Sequence, residues 1–500
     1  MNVRDYHQDQ GILFPPHLRE FLPDDHQAVV INDIVETLDL SCLYQKVSPE
    51  GNPAYHPKMM LKILLYAYSN GIFSARKIQK ALEESIAFIY LSAWQKPDFR
   101  TISDFRKNNL AELEDLFCQV VDMCKRLGMV SLGHIALDSS KFKANASEKR
   151  TYDSKRLKRE IDKLLKEANR VDSREDRLFG SDSRGDEIPV EIQRQTDRLA
   201  RLEKIKKELE HRGTEKINAT DPDAVFMKTR QGIKTSYSGQ VAADESHHVI
   251  FAADVTNDPS DNEQLVPMVE QTEETIGNFG ALGADSGYSS GENLKSLAGK
   301  TIDAYIPDAN YQGNQRGKQE TPGGPYFPRS NFIRDEAQDC FICPAGEKLP
   351  FSHMQKVKNK EPLRMYRCRA SKDCPLRDQC TKNKGGRTIT LNAYDDHLRA
   401  MRSKLDTKYG KRMYAKRKII VEPVFGHIKE TIGLCKFSLR GLQKVLGEFL
   451  LVCITHNIRK IVNALKPKRT LCGYYSNPFF PAKSPIVAYH DRMLTFSDNS

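Results

Sequence analysis

The chain predicts an α/β fold: a mixed sheet flanked by helices, with an all-α segment ahead of it and two insertions within it. Three observations predict this. Apolar residues recur at helical spacing as far as about Leu127, and from Gly133 onward period-two and continuous apolar runs alternate with helical ones. Two stretches, one highly charged and one rich in cysteine, interrupt that alternation. Five hundred residues also exceed what one ordinary hydrophobic core organises, which predicts several units.

Residues 1–127 read as helical. Ile31 to Leu40, Lys58 to Tyr68, Ala75 to Leu82 and Leu110 to Leu127 carry the helical pattern, separated by Pro53, Pro57, Gly71 and Pro97. Short helices in succession suit a helix-turn-helix module that places one helix in the major groove of DNA. The segment Arg100-Thr-Ile-Ser-Asp-Phe-Arg106 is the candidate recognition element, with Thr101 or Ser103 as cap and Arg100, Arg106 and Lys107 facing phosphates or bases. An ordinary helical packing domain fits the same spacing equally well.

The α/β core is assigned to residues 128–148, 225–330 and 388–465. Strands are predicted at His134 to Leu137, Lys234 to Ala242, Val249 to Val255, Ala281 to Ala284 and Ile302 to Ile306, and helices at Asp261 to Thr275 and Ser289 to Ala298. Asp138 then closes the first strand and Asp285 the fourth.

The first insertion, 149–224, is a predicted antiparallel helical hairpin. Leu157, Ile161, Leu164, Ala168 and Val171 form one stripe, and Leu199, Leu202, Ile205 and Leu209 form the other. Its connector, Asp172 to Pro189, is rich in Ser, Asp, Arg and Gly and is expected to be disordered. The hairpin reads as a packing arm, a dimer contact or a bare spacer. The tail, 466–500, is expected to be irregular.

The second insertion, 331–387, holds Cys340, Cys343, Cys368, Cys374 and Cys380, five of the chain's eleven cysteines. Zinc takes four thiolates in a tetrahedron, and the Cys340-x2-Cys343 knuckle supplies two from one turn. The other two come from Cys368, Cys374 and Cys380, leaving one spare.

The composition narrows the setting. The apolar fraction of 39% supports a folded core, and no run of eighteen apolar residues occurs, so no membrane span is expected. The polar start, with Asp5, His7 and Asp9, resembles neither a secretory signal nor a transit peptide, which predicts a cytoplasmic, nucleoid-associated protein. The net charge of +11 is modest, but nine basic residues and one acid lie between Arg399 and Lys418, and eleven basic residues and three acids between Lys356 and Arg387. Such stretches suit a polyanion, or a solvated surface.

The acids carry the chemistry. In-line attack on a phosphodiester needs an activated oxygen nucleophile and a stabilised leaving oxygen, which two magnesium ions about 3.5 to 4 Å apart supply. Such ions take oxygen ligands, chiefly carboxylates and waters. Asp138 and Asp285 follow apolar strands whose ends converge on one edge, although each also fits a turn or a helix cap. The third acid is Glu422; on a continuous helix Lys418, Glu422 and Lys429 share one face, a metal ligand between phosphate-binding lysines or a surface ion pair. Pro423 places Glu422 at a helix start or a kink.

Together, Ile135-Ala-Leu-Asp138-Ser-Ser-Lys-Phe-Lys-Ala-Asn145, Gly283-Ala-Asp285-Ser-Gly-Tyr288, Ala304-Tyr-Ile-Pro307 and Val421-Glu-Pro-Val-Phe-Gly-His-Ile-Lys429 resemble the DDE transposases of bacterial insertion sequences. Lys96-Pro-Asp-Phe-Arg-Thr-Ile-Ser-Asp-Phe-Arg106 is similar to the signature of that group's helical N-terminal domain. The resemblance runs from about residue 20 to residue 460. It implies a ribonuclease-H-like core, with Asp138, Asp285 and Glu422 as ligands of two Mg2+ or Mn2+ ions. It also implies DNA contacts by Tyr414, by Arg417 or Lys418, and by Lys429. Neither basic residue matches the family spacing to both Tyr414 and Glu422, so both stay open. Among the cysteines, Cys343, Cys374 and Cys380 match best and Cys368 is displaced, which leaves Cys340 as the fourth zinc ligand.

The implied enzyme binds the terminal inverted repeats of its element, cuts a strand at each end and joins the freed 3′-hydroxyl to target DNA, acting as a homodimer or higher oligomer. Two other functions fit the same residues: a transposase-derived DNA-binding protein without activity, and a ribonuclease-H-like nuclease without strand transfer.

Overall fold

The computed structural model describes residues 17–47, 50, 53–179, 190–308, 326–327, 329–357, 360–369, 374–383 and 385–465. The helical segment comprises α1 (Gln27–Thr37), α2 (Ser41–Tyr44), α3 (Pro57–Ser69), α4 (Ala75–Glu84), α5 (Ile86–Ser92), α6 (Phe99–Asn108) and α7 (Glu112–Arg126). Pro57 opens α3, where its missing N–H costs nothing. From Met59 to Ser69 the helix is buried on every side, packed between α1, α5 and the last of the described helices, Leu442–Leu465. The cap of α6 is Asp98, which accepts from Thr101 N at 2.7 Å, and neither Thr101 nor Ser103. An aspartate one residue before the helix reaches the free N–H groups of the first turn, whereas Thr101 and Ser103 already lie inside it.

The central sheet is built on β1 (His134–Lys143). One edge of β1 pairs antiparallel with β5 (Gly232–Asp244), whose far edge carries β4 (Val225–Thr229) and β6 (Ile250–Thr256) in succession. The other edge pairs in parallel with β7 (Ala281–Ala284), and β7 with β8 (Asp303–Tyr305). The predicted strands and helices of this core are present, the helices as α10 (Leu265–Ile276) and α11 (Gly291–Ala298). One boundary differs in a way that matters. The first strand runs six residues beyond Leu137, so Asp138 stands in mid-strand. The apolar run ends at Leu137, but the ladder from Ser139↔Gln240 to Lys143↔Ser236 is a main-chain pairing that polar side chains do not interrupt.

Helices α12 (Asp395–Asp406), α13 (Lys408–Gly426) and α14 (Leu442–Leu465) complete the core. The side of α14 that meets β6 and the side that meets α3 and α7 belong to one apolar cluster reaching from Ala28 to Val462. The helical segment and the sheet thus share a core. Glu422 lies within α13, since the helix continues through Pro423 and passes into a π turn at His427–Thr431.

The hairpin insertion is α8 (Ser154–Phe179) against α9 (Val190–Arg212), closed at its base by the β2 (Thr151–Asp153) and β3 (Lys216–Asn218) ribbon. Its stripes meet as drawn from the sequence, through Leu157, Leu164, Leu202 and Leu209 with Ile217. The connector begins as helix, because α8 continues to Phe179; residues 180–189 and the tail 466–500 lie outside the described residues. The cysteine insertion is an antiparallel sheet of β9 (Ile333–Asp335), β10 (Cys340–Ile342), β11 (Lys348–Val357), β12 (Lys360–Arg367) and β13 (Thr388–Leu391). It rests on a core of six buried side chains. Among the described residues no helix is long and apolar enough to cross a membrane.

Candidate active site

The register of two parallel strands creates the site. Leu137 on β1 pairs with Ala284 on β7, so the next residue on each strand, Asp138 and Asp285, stands beside its counterpart at the sheet's centre. Asp285 caps the short turn Ser286–Tyr288, accepting from Ser286 N at 2.7 Å. Helix α13 crosses above, and Arg417 reaches down from it to donate to Asp138 at 2.7 Å and to lie 4.0 Å from Asp285. This close crossing depends on Gly283, where a Cβ would stand 3.3 Å from Arg417 Cβ and 3.0 Å from His134 Nε2.

The electrostatics of the pair are uneven. Burial pushes the Asp138 carboxyl up to about 6, against the pull of Arg417 and with a further push from Asp285. The same two carboxylates hold the Arg417 guanidinium above its ordinary value, although its own burial acts the other way. Tyr414, one turn before Arg417, is raised by burial and faces that guanidinium.

Behind Asp138, Asp261 ties the site's elements together. It accepts from Ser139 Oγ at 2.9 Å, Lys141 Nζ at 3.1 Å and Gln240 Nε2 at 2.8 Å, joining β1 to β5. Tyr288 donates to Gln240 Oε1 and so ties the turn after Asp285 to the same group. The sequence pattern marks Asp261 only as the start of a helix. The available signal was Asn257-Asp-Pro-Ser-Asp261-Asn, a polar loop between a buried strand and its helix, where an acid can turn back over the sheet.

The remaining predicted residues divide. Of the two basic candidates, Arg417 is buried between the aspartates and Lys418 is exposed on another face of α13. Lys429 joins the site: the π turn carries it to Ser140 Oγ and to Lys141 O at 3.2 Å, with its ammonium 4.7 Å from the Phe142 ring. Glu422 is exposed, and the structure records no bond between it and either aspartate. Arg100 is exposed on α6. Arg106, expected to face DNA, is buried and donates to Tyr68 Oη and Phe73 O, both at 3.0 Å, so it serves the helical core. A residue seven places after Phe99 returns to the packed face of α6, which turns its charge inward.

In the cysteine sheet, Cys343, Cys368, Cys374 and Cys380 line one cavity of about 20 Å³. Cys340, chosen from the sequence in place of Cys368, is buried within β10 and does not line it. The reason is the strand itself: β10 runs through Cys340–Ile342, and only Cys343 lies in the following turn, closed by Gly346 N to Cys343 O at 2.9 Å. Among the described residues no group of three or more His, Cys, Asp or Glu side chains is gathered closely enough to hold a metal ion.

The family described as transposase DDE domain matches residues 342–462, which include Arg417, Glu422 and Lys429. The family described as transposase domain (DUF772) matches residues 16–108, the helices α1 to α6. Asp138 and Asp285 lie outside both matches. No curated protein matches the chain. These two matches support a transposase. More narrowly, they support a DDE transposase of an insertion element.

Proposed function

We propose that the chain binds the terminal inverted repeats of its element and catalyses metal-dependent DNA strand cleavage and strand transfer, with Asp138, Asp285 and Glu422 as the metal-binding carboxylates. The observation that carries this is the pairing of Asp138 with Asp285 around one cation, the Arg417 guanidinium. Two partly buried acids brought side by side by neighbouring strands repel each other unless positive charge compensates them, so this is a place built for a cation. The donor set is carboxylate oxygen, which suits Mg2+ or Mn2+. When bound, such ions supply a water activated at neutral pH and a counter-charge for the leaving oxygen.

The protein's part is to position the reacting groups. Asp261, Gln240 and Tyr288 hold the β1 strand and the turn after Asp285 in register. Arg417 neutralises the pair in the absence of substrate. Lys429, beside Ser140, offers a phosphate contact on the same side as Asp138. Glu422, exposed near the end of α13, would complete the set from that helix, where Pro423 removes one hydrogen bond and a π turn follows at His427–Thr431. The strand order, antiparallel on one side of β1 and parallel on the other, supports the ribonuclease-H-like arrangement that the resemblance implies. In the cysteine sheet, the thiols of Cys343, Cys368, Cys374 and Cys380 suit a structural zinc, because six buried side chains are a small core for five strands.

The test is incubation of the purified chain with labelled element ends and Mg2+. Asp138→Asn, Asp285→Asn and Glu422→Gln are each expected to abolish nicking and leave end binding intact. A variant that still cuts removes its residue from the set. A chain that shifts the ends without nicking them is a binding protein only, and one that nicks without joining is a nuclease.

A further inference from the structure

We propose that a nucleic-acid backbone follows a cationic track beside β1, from the paired aspartates to a groove under the helical hairpin. The proposal rests on the transposase reading, and it gives the hairpin insertion a role in holding DNA.

The track begins at Lys429 on Ser140. Three residues further along β1, where the alternation turns the side chain to the strand's other face, Lys143 stands opposite Lys436 in an isolated parallel bridge, fixed by Lys143 N to Cys435 O at 3.2 Å and Phe437 N to Lys143 O at 2.9 Å. Like charges placed opposite each other are destabilising, and no carboxylate among the described residues pairs with either lysine. Next, Arg440 Nε donates to Asn145 O at 2.9 Å, and Asn145 Nδ2 returns a bond to Ser438 O at 2.7 Å. Asn218 Nδ2 then fastens Ser147 O at 2.8 Å, and Ala219 N fastens Arg150 O at 2.9 Å, which ties the strand's exit to the base of the hairpin.

There the chain opens into a groove of about 630 Å³ whose cationic lining is Arg150, Arg198, Arg201 and Lys204. Its one acid, Glu208, is taken by Arg212 at 2.7 Å, and Arg198 leans 3.6 Å from Glu160. Arg150, Arg201 and Lys204 have no carboxylate partner among the described residues. Some cations elsewhere on the surface are matched, as in Lys416 with Glu245 at 2.6 Å and Lys300 with Glu273 at 2.5 Å. An unmatched line of cations on a rigid frame fits a linear polyanion. From Asp138 to Lys143 an extended strand covers roughly 17 Å, the axial length of about five base pairs.

The experiment uses the full chain carrying Asp138→Asn, so that no cutting intrudes, and a fluorescein-labelled 30-base-pair duplex of arbitrary sequence read by anisotropy. Lys143→Gln with Lys436→Gln, and separately Arg201→Gln with Lys204→Gln, are each expected to weaken binding roughly tenfold at 0.1 M salt. Each pair should also flatten the slope of log affinity against log salt by about 1.8, the loss of two phosphate contacts. Lys300→Gln should change neither. Unaltered affinity and slope in both pairs overturn the track, as does an equal loss of affinity for polyglutamate. A parent chain that binds no duplex at all overturns the transposase reading itself, a separate outcome.

Discussion

Arg417 of α13 donates to Asp138 of β1 at 2.7 Å, joining residues 279 positions apart in the chain. The bond is shielded, with 7% of the arginine side chain and 19% of the aspartate exposed. Removing the guanidinium leaves Asp138 and Asp285 as neighbouring like charges. Arg417→Met is therefore expected to cost on the order of 3 kcal/mol of stability in chemical denaturation. Adding Asp138→Asn should restore part of that loss, since the second change removes the stranded charge. Additive losses in the double variant would show that the two residues are not coupled.

Asp138 makes the site sensitive to acid. With its carboxyl pushed up to about 6, the form that binds a metal ion is lost as pH falls through that value. Mg2+-dependent nicking should drop about tenfold from pH 7 to pH 5, measured in single turnover. The effect on folding has the opposite sign. Because the folded value exceeds the ordinary aspartate value of 3.8, the stability this group contributes is whole below pH 3.8 and is lost as pH rises to about 6. Nicking that stays level from pH 7 to pH 5 would mean that Asp138 is not the titrating ligand.

The two arginines at the ends of the predicted recognition element should behave differently. Arg106→Ala removes two buried hydrogen bonds, to Tyr68 and Phe73, and is expected to cost about 2 to 3 kcal/mol. Arg100→Ala, at an exposed position, should leave the thermal midpoint unchanged and weaken DNA binding. An Arg106→Ala chain as stable as the parent would contradict the core role assigned to that residue.

The cysteine sheet yields a prediction on metal content. The purified chain should carry one zinc, released by a strong chelator together with loss of protease resistance between residues 331 and 391. Cys368→Ser should lose the metal and Cys340→Ser should keep it, as read by elemental analysis. The reverse pattern would restore the ligand set drawn from the sequence.

The sequence displayed the elements more clearly than their relations. Strand and helix positions in the core follow from apolar runs that burial demands, and the hairpin follows from two stripes that can bury only each other. Asp138 and Asp285 were legible because each follows such a run. Other features depend on pairing that no local pattern encodes. The extension of β1 past Asp138 is set by β5, a hundred residues away. Asp261 enters the site only once Ser139, Lys141 and Gln240 are brought to it. Arg417 could not be separated from Lys418 by spacing, and the two differ only because one face of α13 is pressed against Gly283. The inward turn of Arg106 and the exchange of Cys368 for Cys340 have the same origin: a helix face or strand exit decides whether a charged or ligating side chain is available.

The central claim is that Asp138 and Asp285 jointly bind the divalent ion that cuts DNA. The most direct measurement replaces Asp285 by cysteine and follows nicking of element ends in Mg2+ and in Mn2+. A thiolate binds hard Mg2+ poorly and the softer Mn2+ better. The account predicts that Asp285→Cys is inactive in Mg2+ and regains cleavage in Mn2+, while Asp285→Ala stays inactive in both. Parental activity of Asp285→Cys in Mg2+, or of Asp285→Ala in either ion, would contradict it.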